Sequence, residues 1–158
     1  MQKTSALTAE EESHHEFTLW KESTLEYTKI LIVDDDDDMT LILSEILKEL
    51  GHDVATAANA EEAMTYIKTE EYFIVIADIQ MPVISGIELL KWVKEFNSMI
   101  QVFIMTAHSS KRVIVECLAA GATDYFEKPF RSEDIILSMH AAIYRIQKWA
   151  RILMREDV

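Results

Sequence analysis

Cysteine, glycine and proline are scarce in this sequence. Its 158 residues include one cysteine, two prolines and three glycines, and no low-complexity linker interrupts them. The single thiol, Cys117, cannot form an internal disulfide, so a disulfide-stapled secreted scaffold is excluded. Its position in an apolar helical stretch predicts a small core residue rather than a reactive thiol.

Long apolar runs and an excess of basic residues are also missing. The longest apolar runs, such as residues 30–33 and 72–77, are far too short to cross a bilayer. The amino terminus is polar and acidic, without a signal-peptide pattern, so we expect a cytoplasmic protein that does not bind membranes. The net charge of −13 argues against direct nucleic-acid binding, which needs a basic surface.

Short apolar runs alternate with segments of helical periodicity. This pattern predicts strands at residues 30–33, 52–57, 72–78, 101–106 and 124–127. It predicts helices at residues 39–50, 60–68, 86–96, 111–120 and 132–155. Five strand–helix units indicate an α/β fold, a doubly wound five-stranded parallel sheet with helices on both faces. The working site of such a sheet lies at the carboxyl ends of its strands.

Chemically active side chains follow four of the predicted strands. The set comprises Asp34, Asp35, Asp78, Thr106 and Lys128. Clustered carboxylates suit a hard cation such as Mg²⁺, with Mn²⁺ as an acceptable substitute. A lysine and a hydroxyl suit a phosphoryl group, and an aspartate among them can act as a nucleophile that forms an acyl phosphate.

Four motifs carry a family resemblance. The stretches KILIVDDD, VIADIQMP…G, VFIMTAHS and GATDYFEKPF resemble the receiver domain of two-component response regulators, over about residues 29–147. The resemblance implies the CheY-like, flavodoxin-like fold. It also implies that a histidine kinase or phosphotransfer protein phosphorylates Asp78, and that no external substrate is turned over.

The resemblance assigns further roles residue by residue. Asp34 and Asp35 match the acidic pair that holds Mg²⁺ with Asp78, and the backbone carbonyl of Gln80 matches a third protein ligand. Thr106, Ala107 and Lys128 match the groups that bind the phosphoryl oxygens. Thr106 and Tyr125 match the pair that switches on activation, although Tyr125 also fits as plain core. Lys128-Pro129 matches the family's cis peptide.

Two positions at the rim of the predicted site leave the lifetime of the phosphorylated form open. Gln80 and His108 lie two residues beyond Asp78 and Thr106. Gln80 cannot act as a base at neutral pH, whereas His108 can act as a base or simply shield the site. Ser85, where the family often has an aspartate, matters little for the chemistry.

The five consecutive aspartates divide into two groups. Asp34 and Asp35 are predicted to face a metal. Asp36 to Asp38 are expected to serve the start of the following helix, where carboxylates cap free N–H groups and meet the positive end of the helix dipole. Either Asp36 or Asp37 is expected to be the N-cap.

The two ends of the chain lie outside the resemblance. Residues 1–28 form an extension, and residues 148–158 continue a last helix that is long for this fold. A heptad-like seam runs along that helix through Ile135, Met139, Ala142, Ile146, Trp149 and Leu153. Only its first half can pack on the sheet. The remainder is expected either to contact the amino-terminal segment, through Phe17, Trp20 and Tyr27, or to pair two chains as a homodimer.

Two other classes of function remain open at this point. A Mg²⁺-dependent phosphohydrolase with an aspartyl nucleophile would also use aspartates at strand ends, but it needs a general acid that Gln80 cannot supply. A pseudo-receiver scaffold would lack a site residue, and none is missing. The sequence names neither the kinase, the stimulus nor the output, and an effector domain is expected if the chain is a fragment. His14, His15, His52 and His140 show no pattern of metal ligands.

Overall fold

The structure, a computed structural model, describes residues 28–153 and Arg155. The expectations for the amino-terminal extension, including His14, His15 and the aromatic residues before Thr28, lie outside these residues. The strands are β1 (Lys29–Val33), β2 (Asp53–Ala57), β3 (Ile74–Asp78), β4 (Gln101–Thr106) and β5 (Asp124–Glu127). The helices are α1 (Asp37–Glu49), α2 (Ala60–Thr69), α3 (Gly86–Phe96), α4 (Lys111–Ala119) and α5 (Ser132–Leu153).

The five strands form one parallel sheet in the order β2-β1-β3-β4-β5. All its pairs are parallel, as strand–helix alternation predicts, because each helix returns the chain to the starting edge of the sheet. The central strand β3 is buried along its whole length. The order reverses direction between β1 and β3, which puts the switch point, and hence the expected site, beside these two strands.

Helices cover both faces of the sheet. On one face α1 and α5 pack over Ile30, Ile32 and their neighbours. On the other face α2, α3 and α4 pack over Leu31, Val33 and the residues next to them in the sheet. Alternate residues of β1 therefore enter opposite cores, which is why all of its residues after Lys29 are apolar. Cys117 lies fully buried in the second core, as predicted.

Side-chain caps fix where the first four helices begin. Asp36 is the N-cap of α1 and accepts hydrogen bonds from the backbone N–H groups of Asp38 and Met39, which confirms one of the two expected caps. Asn59 caps α2 in the same way. Ser85 and Glu88 form a complete capping box at α3. Such caps satisfy backbone donors that have no partner inside the helix.

The last helix departs from the predicted seam in its second half. Ile146 is buried rather than presented beyond the sheet, and Ala150, not Trp149, continues the buried side. Trp149 and Leu153 are 51% and 43% exposed. The heptad step of 3.5 residues was the wrong period, because a straight helix turns every 3.6 residues and drifts from such a seam. Among the described residues, none of the helices combines the length and apolar character needed to cross a membrane.

Candidate functional site

Two neighbouring strands deliver the buried carboxylates of the site. Asp78 is the last residue of β3, and Asp34 follows β1 directly. The strands are in register, with Val33 opposite Ala77, so the next residue of each strand reaches the same edge. The N–H of Asp34 still donates to the carbonyl of Ala57 at 3.2 Å, which holds this residue in line with the sheet.

The carboxylates of Asp34, Asp35 and Asp78 form an acidic cluster. Each offers an oxygen, and the three oxygens lie within 4.8 Å of one another. Asp34 is fully buried and Asp78 is 6% exposed, whereas Asp35 faces solvent. The structure thus brings together all three carboxylates that the sequence placed at strand ends.

Lys128 supplies positive charge inside this cluster. Its ammonium group donates to Asp34 Oδ2 at 2.9 Å and to Asp78 Oδ2 at 3.3 Å. The residue follows β5 and reaches across the sheet edge because its backbone N–H is held by the carbonyl of Thr106 at 2.7 Å. One ammonium faces three carboxylates, so the cluster keeps a net negative charge and retains an attraction for a cation.

Burial and like charge act together on Asp78. Burial raises the pKa of the Asp78 carboxyl, and the nearby charge of Asp34 raises it further, against the opposing effects of Lys128 and the N–H of Gln80. Burial alone would lower the pKa of Lys128, but the hydrogen bond and charge of Asp34, together with Asp78, raise it overall. Lys128 therefore remains charged, and keeping the Asp78 carboxylate ionised beside it costs free energy.

The donor set fits a hard divalent cation. Three carboxylate oxygens within one ion's reach, one of them open to solvent, match the few protein ligands and several waters that Mg²⁺ prefers. Asp35, at the exposed side, leaves room for those waters. The N–H of Gln80 donates to Asp78 Oδ1 at 3.3 Å, which orients the carboxylate. The role of the Gln80 carbonyl as a ligand stays a prediction.

The free energy of unfolding without metal should reveal how far the buried charge of Asp78 destabilises the protein. We expect Asp78→Asn to stabilise the metal-free protein at pH 7 by roughly 1 kcal/mol, because the amide removes a buried charge that Asp34 repels. The folded-state pKa of Asp78 is raised, so its contribution is most favourable below the unfolded-state pKa and is lost as pH rises through the folded-state pKa. The gain should therefore shrink on acidification. Urea unfolding in EDTA at several pH values measures it.

A control variant separates this effect from a general loss of negative charge. Glu95 is an exposed carboxylate on α3, so Glu95→Gln should change stability by less than about 0.5 kcal/mol at any of these pH values. If Asp78→Asn is no more stable than the wild type at pH 7, Lys128 fully offsets the repulsion between the buried carboxylates of Asp34 and Asp78.

The Thr106 hydroxyl makes its hydrogen bonds outside the acidic cluster. It is the last residue of β4 and is fully buried. Its hydroxyl donates to the carbonyl of His108 at 2.9 Å and accepts from the N–H of the same residue at 3.2 Å. The hydroxyl thus closes a local turn, and it must leave this turn before it can bind a group at Asp78.

The hydroxyl of Tyr125 is buried and lacks a partner among the described residues. Burial raises the pKa of Tyr125 most, and Cys117 adds to this. Ser109 and Thr106 lie close enough for weak side-chain hydrogen bonding to lower it, although neither makes a hydrogen bond of ordinary geometry to the hydroxyl. A buried hydroxyl without a hydrogen bond is unfavourable. The Tyr125 hydroxyl can therefore donate to an acceptor that becomes free near it.

The remaining predicted residues form the rim of the site. Ala107 and His108 follow Thr106 and are exposed, and Gln80, two residues after Asp78, is exposed as well. Asp37 and Asp38 lie in the first turn of α1. The N–H of Asp36 donates to Asp34 Oδ1 at 3.0 Å, so the end of β1 and the start of α1 are joined through the buried carboxylate.

Two residues shortly after Asp78, Val83 and Gly86, had no structural role predicted from the sequence, although Gly86 ends one of the four motifs. Gly86 packs so closely that a Cβ there would overlap the carbonyl oxygen of Asp78, and its N–H donates to the carbonyl of Ile79 at 2.9 Å. Val83 has a φ of 70° at 85% exposure, in a tight turn closed by Ile84 N–H and the carbonyl of Pro82. A glycine after a Ser cap, in a chain with only three glycines, was the available signal for Gly86.

Comparison with known proteins gives a consistent result. Residues 30–140 match the family described as the response regulator receiver domain. The transcriptional regulatory protein ZraR of Klebsiella oxytoca is 40% identical over 118 residues, 75% of this chain and 27% of that protein. The sporulation initiation phosphotransferase F of Bacillus subtilis is 36% identical over 107 residues, 68% of this chain and 86% of that protein.

Solved structures agree with the sequence matches. A CheY-like response regulator receiver domain protein from Methanospirillum hungatei superposes with a TM-score of 0.75 at 29% identity, covering 78% of this chain and 98% of that one. This chain spans only about a quarter of the length of ZraR, so the activity of that whole protein does not carry over with the match.

Proposed function

Because this chain belongs to the response regulator receiver domain family, whose members are modules of two-component signalling, we propose that Asp78 accepts a phosphoryl group from a phosphohistidine. The donor is a histidine kinase or a phosphotransfer protein. One observation carries the proposal: the Asp78 carboxylate ends the central strand, bonded by Lys128 and clustered with Asp34 and Asp35.

The transfer uses the chain's own residues as follows. A carboxylate oxygen of Asp78 forms a bond to phosphorus while the bond to the donor nitrogen breaks, and the electron pair stays on that nitrogen, which takes up a proton. Lys128 binds a phosphoryl oxygen and offsets the charge that develops there. Asp34 and Asp35 are the proposed ligands of Mg²⁺, which supplies further charge neutralisation when bound.

Thr106 and Tyr125 are the proposed switch. A phosphoryl oxygen on Asp78 offers Thr106 a stronger, charged acceptor than the His108 carbonyl. When the Thr106 hydroxyl turns to it, that carbonyl is released. The buried hydroxyl of Tyr125 then gains the acceptor that it lacks, and the surface of α4, β5 and α5 changes with it. This change of hydrogen-bond partners shifts the phosphorylated protein toward a second conformation.

The proposed signalling role requires an output as well as a receiver. We propose residues 29–147 as the receiver and a binding partner or an attached effector as its output, since curated relatives such as ZraR are longer regulators. We expect no turnover of an external phosphate ester, because Gln80 supplies no general acid beside Asp78.

Phosphorylation by a small donor tests the proposal directly. Incubation of the whole chain with acetyl phosphate and Mg²⁺ should add one phosphoryl group, as measured by intact-protein mass spectrometry. Asp78→Asn should remain unmodified, because the amide is not a nucleophile. Asp53→Asn, which removes an exposed aspartate at the start of β2, should be modified like the wild type. An unmodified wild type, or a modified Asp78→Asn, would refute the assignment.

A further inference from the structure

The loop between β3 and α3 is closed by hydrogen bonds to a single carbonyl. Ile79 stays in line with the sheet because its N–H donates to the carbonyl of Met105 at 2.9 Å. Its own carbonyl accepts the N–H of Met81 at 3.2 Å and the N–H of Gly86 at 2.9 Å. Gly86 already packs against the backbone at the end of β3, so it has no room to come closer. Residues 80–85 therefore form a short closed loop with both ends fixed at the end of β3.

Val83 has a strained backbone in this loop. Its φ is 70°, and it is the one described residue other than glycine with a positive φ. The N–H of Ile84 donates to the carbonyl of Pro82 at 2.9 Å, so Val83 is the middle residue of a three-residue γ-turn of the rare, strained kind. A β-branched side chain is especially unfavourable at positive φ. Because Val83 is 85% exposed, burial of its side chain does not offset this cost.

The backbone of this loop has few places where it can turn. Four of its six residues are held by packing in the core, by a proline ring or by the helix cap of α3, namely Met81, Ile84, Pro82 and Ser85. The other two, Gln80 and Val83, are exposed. Since both ends of the loop are fixed, a turn of the backbone at Gln80 has to be compensated at Val83.

Gln80 connects the loop to the acidic cluster. Its N–H donates to Asp78 Oδ1 at 3.3 Å, and its carbonyl is the predicted further ligand of Mg²⁺. That carbonyl lies in the same rigid peptide plane as the N–H of Met81. Turning the carbonyl toward a cation therefore withdraws the Met81 N–H from the carbonyl of Ile79 and changes the backbone at Gln80. Because the loop is closed, the backbone at Val83 then changes too.

We propose that the strain at Val83 is released when Mg²⁺ binds beside Asp78, and that it thereby raises the affinity of the chain for this ion. The proposal rests on the proposed function, in which Mg²⁺ assists phosphorylation of Asp78. In the conformation described here, the Met81 N–H bonds the Ile79 carbonyl and Val83 is strained. When Gln80 turns its carbonyl to the metal, the turn at Val83 relaxes. The free energy released there favours the metal-bound conformation by the same amount by which it disfavours the strained one.

Asparagine at position 83 tests the role of the strain, because asparagine tolerates a positive φ and keeps a Cβ. Val83→Asn should lower the equilibrium constant of unfolding in EDTA about fivefold, which is the lower end of the usual cost of the left-handed region. The dissociation constant for Mg²⁺ should rise by a similar factor of about five, since the strain no longer contributes to binding. Urea unfolding and calorimetric titration with Mg²⁺ measure the two constants.

Val115→Asn is the matched control for this substitution. Val115 is also exposed, at 56%, but it lies in α4, where valine and asparagine have similar helix propensities. The control should change neither constant by more than about twofold.

Three results would overturn the proposal, and they differ in what else they refute. If Val83→Asn stabilises the protein but leaves the affinity for Mg²⁺ unchanged, the strain exists and is not released on binding. If the stability of Val83→Asn is unchanged or lower, the turn carries no strain to release. A wild type that binds no Mg²⁺ refutes the proposed metal site itself, and this proposal with it.

Discussion

Asp35→Ala is expected to reduce the Mg²⁺ affinity of the chain, and with it phosphorylation at limiting Mg²⁺, by about 100-fold. Asp35 is the exposed member of the acidic cluster, and its carboxylate completes the three oxygens within 4.8 Å. The fully buried Asp34 already bonds Lys128 and the N–H of Asp36, so it has less freedom to compensate. Titration with Mg²⁺ and the rate of modification by acetyl phosphate measure the two effects.

Asp38→Ala is the matched control, three residues along the same aspartate run. Asp38 lies in the first turn of α1, where a carboxylate stabilises the positive end of the helix dipole. Its loss should cost about 0.5 kcal/mol of stability and leave Mg²⁺ affinity unchanged. Equal loss of affinity in both variants would place the division between metal-binding and helix-capping aspartates in the wrong position.

Gly86→Ala is expected to have the largest effect on structure. A Cβ at this position would overlap the carbonyl oxygen of Asp78 and lie 2.8 Å from both its carbonyl carbon and Ile79 Cα. These are backbone atoms of the strand end, so relief requires that Asp78 itself move. We expect a loss of about 3 kcal/mol in the free energy of unfolding. A displacement near 1 Å should also slow phosphorylation about 100-fold.

Gly51→Ala distinguishes this clash from backbone strain. Gly51 has a φ of 91°, but a Cβ there would meet nothing within 4 Å. The substitution should cost about 1 kcal/mol, the usual penalty for a side chain in the left-handed region, and should leave the rate of phosphorylation unchanged. If both variants lose the same stability and the same rate, the close approach of Gly86 to Asp78 is not what positions the carboxylate.

The fold was predictable because its signals are local and repeated. Residues 86–96 and 101–106 were predicted with the observed bounds, since a Ser cap precedes the helix and polar residues flank the strand. The helix predicted at 39–50 begins at Asp37 instead, because Asp36 accepts two backbone hydrogen bonds and draws the first turn back. Parallel order then followed from alternation, because each helix must cross to the starting edge.

The composition of the site was predictable, but its internal contacts were not. Strand ends identify Asp34, Asp78 and Lys128 without coordinates, because parallel strands share one carboxyl edge. Nothing in the sequence states that the Thr106 hydroxyl bonds the His108 carbonyl, since rotamers depend on surrounding atoms. The closeness of Gly86 to Asp78 likewise depends on the path of a loop.

Contacts between residues far apart in the sequence could not be predicted either. His52 and His140 are 88 positions apart, and each looked isolated in the sequence. The packing of α5 against the sheet brings them near each other, which the lowered pKa of His52 reflects, after the larger effect of burial. The heptad seam predicted for α5 fails at Trp149, because the helix turns every 3.6 residues and Ala150 takes the buried position instead.

The two border strands of the sheet carry a consequence for behaviour at high concentration. In the described part of the chain β2 pairs only with β1, and β5 pairs only with β4, so each has one unpaired row of backbone groups. Such rows invite intermolecular strand addition and aggregation. Here β2 starts with the exposed Asp53, and β5 has four residues and ends with the exposed Glu127. Short length and negative charge at these borders favour colloidal stability of the folded protein.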